Sequence, residues 1–568
     1  MFSNLLARPT RTCFILVAMW FRKTTRWTQE VDVVVIGSGA AGAVAALAAH
    51  AGKARVAVLE KTDKFGGTTA VSGGVVWVPN NKHMGEVGIA DSFDDALAYV
   101  TRLADGRSDP ALIRRYLEAA PEMLEFVEGA TPIEFRALGR YPDYHPEFPG
   151  GRPGGRSLDP GLFDTNLLGP WKERLRRSPV FGMTAMSVTE ATDWGVFSKP
   201  SALPFGLLAK RFKQGLVCYG GALAGGLLKA LLDRGIEPML GIAADELLID
   251  DDKVVGVRAR QGDKEILIGA KRGVVLASGG FEWNADLCRR FLGGPLTHPN
   301  SPPGNEGDGL KMAMALGADL GNMAEAWWCP SLQVPGEEYD KRPLHRGDFA
   351  TRSLPHSVIV NRRGQRFVNE AHNYNDLMKA FFAFDPVAYE RTNLPAWIVI
   401  DQQYMDRYAL LTYVPGMPVP DWLTRADTLE ELAGLIGVDA RGLTATVARF
   451  NRFAVEGADP DFRRGESLYD HFYGDPEHKP NPNLGTIEKA PFYAIQVQPG
   501  AIGTKGGART DGDGRVLRPD GTAIPGLYAA GNVMAGVTGA GYPGAGATIG
   551  AAMTFGYLAG RHAAARKE

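Results

Sequence analysis

The sequence predicts an α/β fold in which a parallel-sheet domain, discontinuous in the chain, carries an inserted α+β domain. A β-branched run, Val31-Asp-Val-Val-Val-Ile36, passes through Gly37-Ser38-Gly39-Ala-Ala41-Gly42 into an alanine-rich stretch reaching His50, and a second run follows at Arg55 to Leu59. A strand-into-glycine junction of the same kind recurs near the end, at Gly526-Leu-Tyr-Ala-Ala-Gly531-Asn532. The 70 glycines gather in short runs of this sort, and those runs mark the functional stretches. At roughly 150 residues per domain, the chain has room for three or four.

Composition removes several classes of function. The chain is 45% hydrophobic and 22% charged, the balance of a globular protein with a large core. Lys plus Arg number 62 against 64 for Asp plus Glu, a net charge of −2, so no basic face points to nucleic acid. Cys13, Cys218, Cys288 and Cys329 have none of the spacings of disulfide frameworks, zinc fingers, haem attachment or iron–sulfur clusters, and no metal is expected. Cys13 to Phe21 form an apolar run flanked by arginines, too short for a span of about 20 residues. No small-residue cleavage site follows it, so residues 1–30 are expected to be a leader, with a surface anchor as the rival reading.

The elements then follow in order. Val31 to Ile36 reads as a buried parallel strand, and the stretch to His50 as a helix. Gly37 permits the tight turn, Gly39 lets a pyrophosphate approach the backbone, and Gly42 lets the helix pack on the strand. The helix N-terminus offers free N–H groups to phosphate. Glu60, at the end of the second strand and 18 residues after Gly42, is placed to accept from a ribose hydroxyl. A second glycine-rich stretch follows at once, Phe65-Gly-Gly67-Thr68-Thr69-Ala-Val-Ser72-Gly73-Gly74. A plain NAD domain would continue as a helix, whereas a long glycine-lined loop suits FAD, which extends past its pyrophosphate. Gly544-Ala-Gly546-Ala-Thr548-Ile549-Gly550 opens a last apolar helix whose N-terminus could stabilise a reduced flavin ring. Small-residue helix packing is the plainer reading of that tail. No second nucleotide fingerprint precedes a helix, so NAD(P)H is not expected as a partner.

These motifs together resemble the fumarate reductase/succinate dehydrogenase flavoprotein superfamily. Val274-Val-Leu-Ala-Ser278-Gly279-Gly280-Phe resembles its inner FAD-domain strand, and Gly304-Asn305-Glu-Gly307-Asp308-Gly309 its flavin-contact turn. Arg363 to Glu370 resembles its substrate-domain hairpin. Within it, the Phe65 to Gly74 stretch with Trp77-Val-Pro-Asn-Asn81, and Tyr542-Pro-Gly-Ala-Gly546 to Gly550, resemble the 3-ketosteroid Δ1-dehydrogenase family. The resemblance implies a Rossmann-like FAD-binding domain with an inserted α+β substrate/catalytic domain. Cofactor contacts are then expected at Gly37, Ser38, Gly39, Ala41, Gly42, Glu60, Lys61, Gly67, Thr68, Thr69, Ser72, Gly73, Gly74, Ser278, Gly279, Asp308, Gly531, Asn532, Thr548 and Ile549. Flavinylated members carry a histidine where Thr68-Thr69 stands, so the FAD is expected to be noncovalent. Fumarate reductases place a carboxylate-binding arginine after their last strand. Ala540-Gly-Tyr542-Pro-Gly stands there instead and suits a neutral ketone.

Desaturating a ketone needs a donor to the oxygen, a base for the α-proton and a hydride acceptor. The resemblance assigns the donor to Tyr542 with the N–H of Gly546, an oxyanion-type clamp. It assigns the base to Tyr374 and its helper to Tyr144. Only about one free tyrosine in a thousand is ionised at neutral pH, so a neighbour must assist. Tyr141 is expected to line the pocket, and His372 and His145 are rival bases on general chemistry. The boundaries that follow are a leader at 1–30, FAD-binding parts at 31–324 and 489–568, and a substrate/catalytic domain at 325–488. Residues 150–203 fit neither pattern and read as a solvated excursion, with a lid or membrane-surface patch as the rival. The expected function is FAD-dependent 1,2-desaturation of a 3-ketosteroid in steroid degradation. Its rivals are Δ4-(5α)-ketosteroid dehydrogenation, fumarate-reductase-like chemistry and a flavoprotein electron carrier. Expected partners are an apolar ketone and a diffusible acceptor, a quinone being one candidate. The expected location is the cytoplasm, with peripheral membrane contact left open.

Overall fold

Burial of β1 (Gln29–Ile36) from Val31 onward is what a central parallel strand requires, since helices must cover both faces. The computed structural model describes residues 26–182, 185–196 and 198–566, so the leader up to residue 25 lies outside the described residues. The chain passes from β1 through α1 (Ala40–Ala51) to β2 (Val56–Glu60), which pairs with β1 in parallel, Val33 opposite Val56. β3 (Lys264–Leu276) lies parallel on the other side of β1, Val34 opposite Val274. An antiparallel ribbon, Ala243–Asp250 with Lys253–Gln261, extends from β3.

The chain then builds a second sheet. β4 (Ala326–Leu332), β5 (Ser357–Asn361), the helix α2 (Tyr374–Phe381), β6 (Ala396–Asp401) and β7 (Phe492–Thr504) form this unit. The strand order is β4-β7-β6-β5, antiparallel throughout that path. α2 packs its Leu377, Met378 and Phe381 against that sheet. After β7 the chain returns to the first sheet as β8 (Ala523–Ala529), parallel to β3, and ends in α3 (Ala547–Ala565), which lies along α1. The first sheet thus runs β8-β3-β1-β2 at its centre.

Two sequence expectations meet a different arrangement. The boundary at 489 places β7 in the nucleotide-binding part, yet residues 492–501 pair with β6 and β4 of the second sheet. Crossing between the sheets therefore falls after Thr504, because the β run beginning at Phe492 is central to the inserted unit. Nor is 150–203 uniformly solvated. Ser157–Asp159 pairs with Val76–Trp77, and Arg156, 1% exposed, forms buried ion pairs with Asp91 and Asp143. The last small-residue helix both opens at the candidate site and packs on α1, so the two readings of that tail describe its two ends.

Candidate active site

The first βα turn is built tightly. Gly37 has φ +112°, and a Cβ there would collide with the Ala277 carbonyl of the neighbouring junction, so only glycine closes this turn. Ser38 Oγ donates to Glu60 Oε2 at 2.6 Å and accepts from the Gly66 N–H at 2.9 Å. Glu60 Oε1 accepts from the Thr62 N–H and hydroxyl, each at 2.9 Å. The acid at the end of β2 is thereby fixed beside the turn, as recognition of a ribose requires. Thr69 Oγ1 accepts from the Ala40 N–H at 2.9 Å, tying the second glycine loop to the start of α1. Ser72 Oγ accepts from the Gly74 N–H at 3.0 Å, while a Cβ at Gly73 would meet nothing within 4 Å, which leaves this loop open.

The later strands bring in the remaining cofactor candidates. Ser278 Oγ accepts from the Gly309 N–H at 3.2 Å, and Thr68 Oγ1 accepts from Asn305 Nδ2 at 2.8 Å. Lys61 is held by Asp308 at 2.7 Å and Glu306 at 3.0 Å, so it braces the loop that carries Asp308. Gly531, Asn532 and Thr548 line one cavity with Trp327, Lys505 and Ala551. A glycine cradle, an oriented acid at the end of β2 and the α3 N-terminus facing that cavity fit FAD.

Three phenols from distant stretches of the chain meet. Tyr144 lies in the loop after Leu138, Tyr374 opens α2, and Tyr542 precedes α3. The Tyr144 hydroxyl donates to that of Tyr374 at 2.8 Å. The Tyr542 ring lies 4.9 Å from that of Tyr144, 5.6 Å from Tyr374 and 4.7 Å from Trp327. Its hydroxyl is 3.4 Å from Thr548 Oγ1. Backbone contacts hold the turn: Pro543 O accepts from the Tyr144 N–H at 2.9 Å and from the Tyr99 hydroxyl at 2.7 Å. Gly546 has φ +90°, and a Cβ there would collide with the Val75 carbonyl, so any side chain would shift the start of α3.

Burial keeps both phenols protonated, and the two histidines differ. Burial pushes the Tyr542 hydroxyl above the usual range, against hydrogen bonds from Thr548, Tyr374 and the Gly546 N–H. A phenol kept protonated is a donor. Burial also raises Tyr374 well above that range, as do the Tyr542 and Tyr141 phenols, and the hydrogen bond from Tyr144 works the other way. For His145, burial would lower the imidazole, but Asp376 at 2.7 Å and Glu147 at 3.4 Å outweigh it and push it up to about 9. It is therefore a cation at neutral pH and a poor base. His372 is lowered by burial and by the charge of His145, which leaves it neutral.

Other residues join this site with little warning in the sequence. Tyr141, which the sequence expects to line the pocket, brings in two of them: it stacks on Phe472 at 4.1 Å, and its hydroxyl is 2.6 Å from that of Tyr473. The Tyr469 ring lies 5.0 Å from Tyr144, and Phe349 packs against Tyr374 at 5.0 Å. The Tyr469/Tyr473 spacing of one helical turn is the only local signal for that pair. Lys505 appears in sequence simply as a lysine between an apolar strand and two glycines, and Glu282 as an acid beyond a glycine pair. In the fold both are buried at the cofactor side, Glu282 accepting from Ser301 and Asn305, each at 2.7 Å.

Similarity to known proteins agrees with this geometry. The family model for an FAD binding domain matches residues 32–549. The chain is 44% identical over 539 residues to 4-oxocyclohexanecarboxylate 2-dehydrogenase of Sinomonas cyclohexanicum, covering 93% of this chain and 92% of the relative. It is 43% identical over 566 residues to 3-oxosteroid 1-dehydrogenase of Mycobacterium tuberculosis (strain ATCC 25618 / H37Rv), with coverages of 94% and 98%. The crystal structure of 3-ketosteroid delta1-dehydrogenase from Sterolibacterium denitrificans in complex with 1,4-androstadiene-3,17-dione superimposes with a TM-score of 0.89 at 39% identity, covering 95% of this chain and all of that one. The chain belongs to the FAD-binding flavoproteins, in the branch that holds 3-oxosteroid 1-dehydrogenases and 4-oxocyclohexanecarboxylate 2-dehydrogenase.

Proposed function

We propose that the protein is an FAD-dependent 3-oxosteroid 1-dehydrogenase, removing the hydrogens of C1 and C2 beside a ring ketone. The observation that carries the reading is the meeting of Tyr144, Tyr374 and Tyr542 at the start of α3, with aromatic rings as their neighbours. Tyr542 and the Gly546 N–H hold the carbonyl oxygen as the enolate develops, a clamp that strengthens with charge. Tyr374 takes the C2 proton, and the hydrogen bond from Tyr144 stabilises the phenolate this step requires. FAD, when bound, supplies the hydride acceptor for C1. The aromatic walls exclude water and orient an apolar ring system.

A smaller ring ketone is the second reading, on the strength of the 44% identical Sinomonas relative. Anaerobic mixing of the flavin-loaded protein with androst-4-ene-3,17-dione decides between them. Bleaching of the yellow flavin by the steroid alone is expected. A flavin that stays oxidised with steroid but bleaches with 4-oxocyclohexanecarboxylate would replace the steroid by the smaller ketone.

Three finer points belong to the same reading. The FAD is noncovalent because Thr68-Thr69 offers no histidine, and acid precipitation should leave the pellet colourless. Electrons leave to a diffusible acceptor of the quinone type. No helix among the described residues is long and apolar enough to cross a membrane. The helix Phe205–Lys213 exposes Phe205 and Phe212 beside Lys210 and Lys213, a surface fit for peripheral contact with anionic lipid. Co-sedimentation with anionic vesicles, lost in Phe205→Ser/Phe212→Ser, would be the sign of it.

A further inference from the structure

Lys505 stands where the chain leaves the second sheet for the first, one residue beyond β7, and is 1% exposed. Its ammonium donates to the Ala540 carbonyl at 2.9 Å and the Gly541 carbonyl at 2.8 Å, and lies 4.4 Å from the centre of the Trp327 ring. Among the described residues it forms no ion pair. The charged groups that face it are Lys379 and Asp376 from α2, Glu325 ahead of β4, and Arg107 after the helix Phe93–Ala104. Both carboxylates are already taken, Asp376 by His145 at 2.7 Å and Lys379 at 3.2 Å, and Glu325 by Arg107 at 2.7 Å. A buried cation with no anion of its own is strongly disfavoured, and two backbone carbonyls and an aromatic face offset only part of that penalty. The placement makes sense if an anion forms beside it during turnover.

The reaction supplies one. Lys505 lines the same cavity as Gly531, Asn532 and Thr548, three of the cofactor candidates. When the C1–H bond breaks, its electron pair and hydrogen pass to the flavin as hydride, while the C2 proton goes to the base. A neutral flavin that accepts hydride carries one more negative charge. We propose that Lys505 is the counter-charge to this reduced flavin, so that reducing the cofactor draws a proton from water onto Lys505. The inference rests on the dehydrogenase reading only through the bound FAD. Burial and the charge of Lys379 pull the ammonium down to about 7, against Asp376 and Glu325, so near neutrality part of the population is uncharged while the flavin is oxidised. An anion in the cavity raises that value again. Above about pH 7 reduction therefore consumes one more proton per two electrons than it does below, where Lys505 is already charged.

The alternative is that Lys505 only props the Ala540-Gly541 turn ahead of Tyr542. Stepwise reduction of the FAD-loaded protein against a redox dye, with no ketone present and across a pH series, separates the two. The unsubstituted protein should show a steeper fall of potential with pH above about 7 than below it. Lys505→Met should remove that break and, near pH 6.5, favour reduced flavin at least about tenfold less, equivalent to ~30 mV for a two-electron couple. Lys505→Arg, permanently charged, should keep the higher potential without the break. A single slope in the unsubstituted protein, or an unchanged potential in Lys505→Met, would overturn the proposal. If Lys505→Met fails to hold FAD, the unsubstituted slope and the arginine variant still decide. Because no substrate is added, failure of a steroid to bleach the flavin would refute the functional reading alone.

Discussion

Tyr542 and Tyr374 are both buried phenols, and their neighbours set them different tasks. Tyr542 is raised by burial, which outweighs the opposing Gly546 N–H, so it stays protonated and donates. Tyr542→Phe should lower turnover by roughly 10²–10³, the usual loss for one oxyanion donor, with the ring packing retained. Steady-state turnover where chemistry limits the rate tests it, and a near-unchanged value would remove Tyr542 from the clamp. Tyr374 has the harder task, since burial opposes the phenolate and the Tyr144 hydroxyl is the contact that favours it. Tyr374→Phe should abolish exchange of the C2 proton with solvent deuterium. Exchange that survives there but is lost in His372→Ala would move the base role to the neutral imidazole two residues earlier.

At the scale of elements, α2 delivers Tyr374 only because the segment before it is locked to the second sheet. Glu370 is wholly buried; burial would raise its carboxyl, but Arg366 at 2.6 Å and Arg464 at 3.2 Å outweigh it and hold it below the usual range. It also accepts from the Ile359 N–H of β5 at 3.2 Å. Arg366 keeps a second carboxylate, Asp459 at 2.7 Å, but Glu370→Ala would leave the buried Arg464 without an ion-pair partner and should destabilise the protein by about 3–5 kcal/mol, measurable by denaturant unfolding of the holoprotein. A loss below about 1 kcal/mol would mean that the backbone carbonyls of Ser357, Arg352 and Leu354 suffice for Arg464. The sequence made the first βα unit readable because strand period, glycine spacing and terminal acid lie within 30 residues of one another. Tyr374, Tyr144 and Tyr542 became legible through a family resemblance, since nothing local tells a catalytic phenol from a packed one. Tyr469, Tyr473 and Lys505 reach the site only through long-range pairing, and a boundary at 489 severs β7 from its sheet for the same reason: its partners are some 100 residues away in β6.

For the whole molecule, the decisive contact is the one that joins the Tyr144 loop to α2 across the phenols. The loop carrying Tyr144 runs between Arg136–Ala137 and Ser157–Asp159 of a small third sheet, and α2 packs on the second. Beside the Tyr144–Tyr374 hydrogen bond, His145 of that loop pairs with Asp376 of α2 at 2.7 Å, and Asn373 Nδ2 lies 3.2 Å from the same imidazole nitrogen. The pair is mostly buried, so solvent screens it little. His145 is raised to about 9 from an unfolded value near 6.5, so its contribution is complete below about pH 6.5 and lost as pH rises through about 9. Asp376 is held below its usual range, since its contacts with His145 and Lys379 outweigh burial, and its contribution is lost only as the solution turns strongly acidic. The latch should therefore stabilise the folded chain between these limits by at most about 3 kcal/mol. Thermal unfolding of the holoprotein and of His145→Gln across a pH series tests this. The difference in Tm should be greatest below about pH 6.5 and shrink between about pH 6.5 and 9, because the imidazole then loses the charge that glutamine never had. A difference that stays constant across that window would show that His145 holds the loop by shape alone and that the loop and α2 meet at the phenols without help from charge.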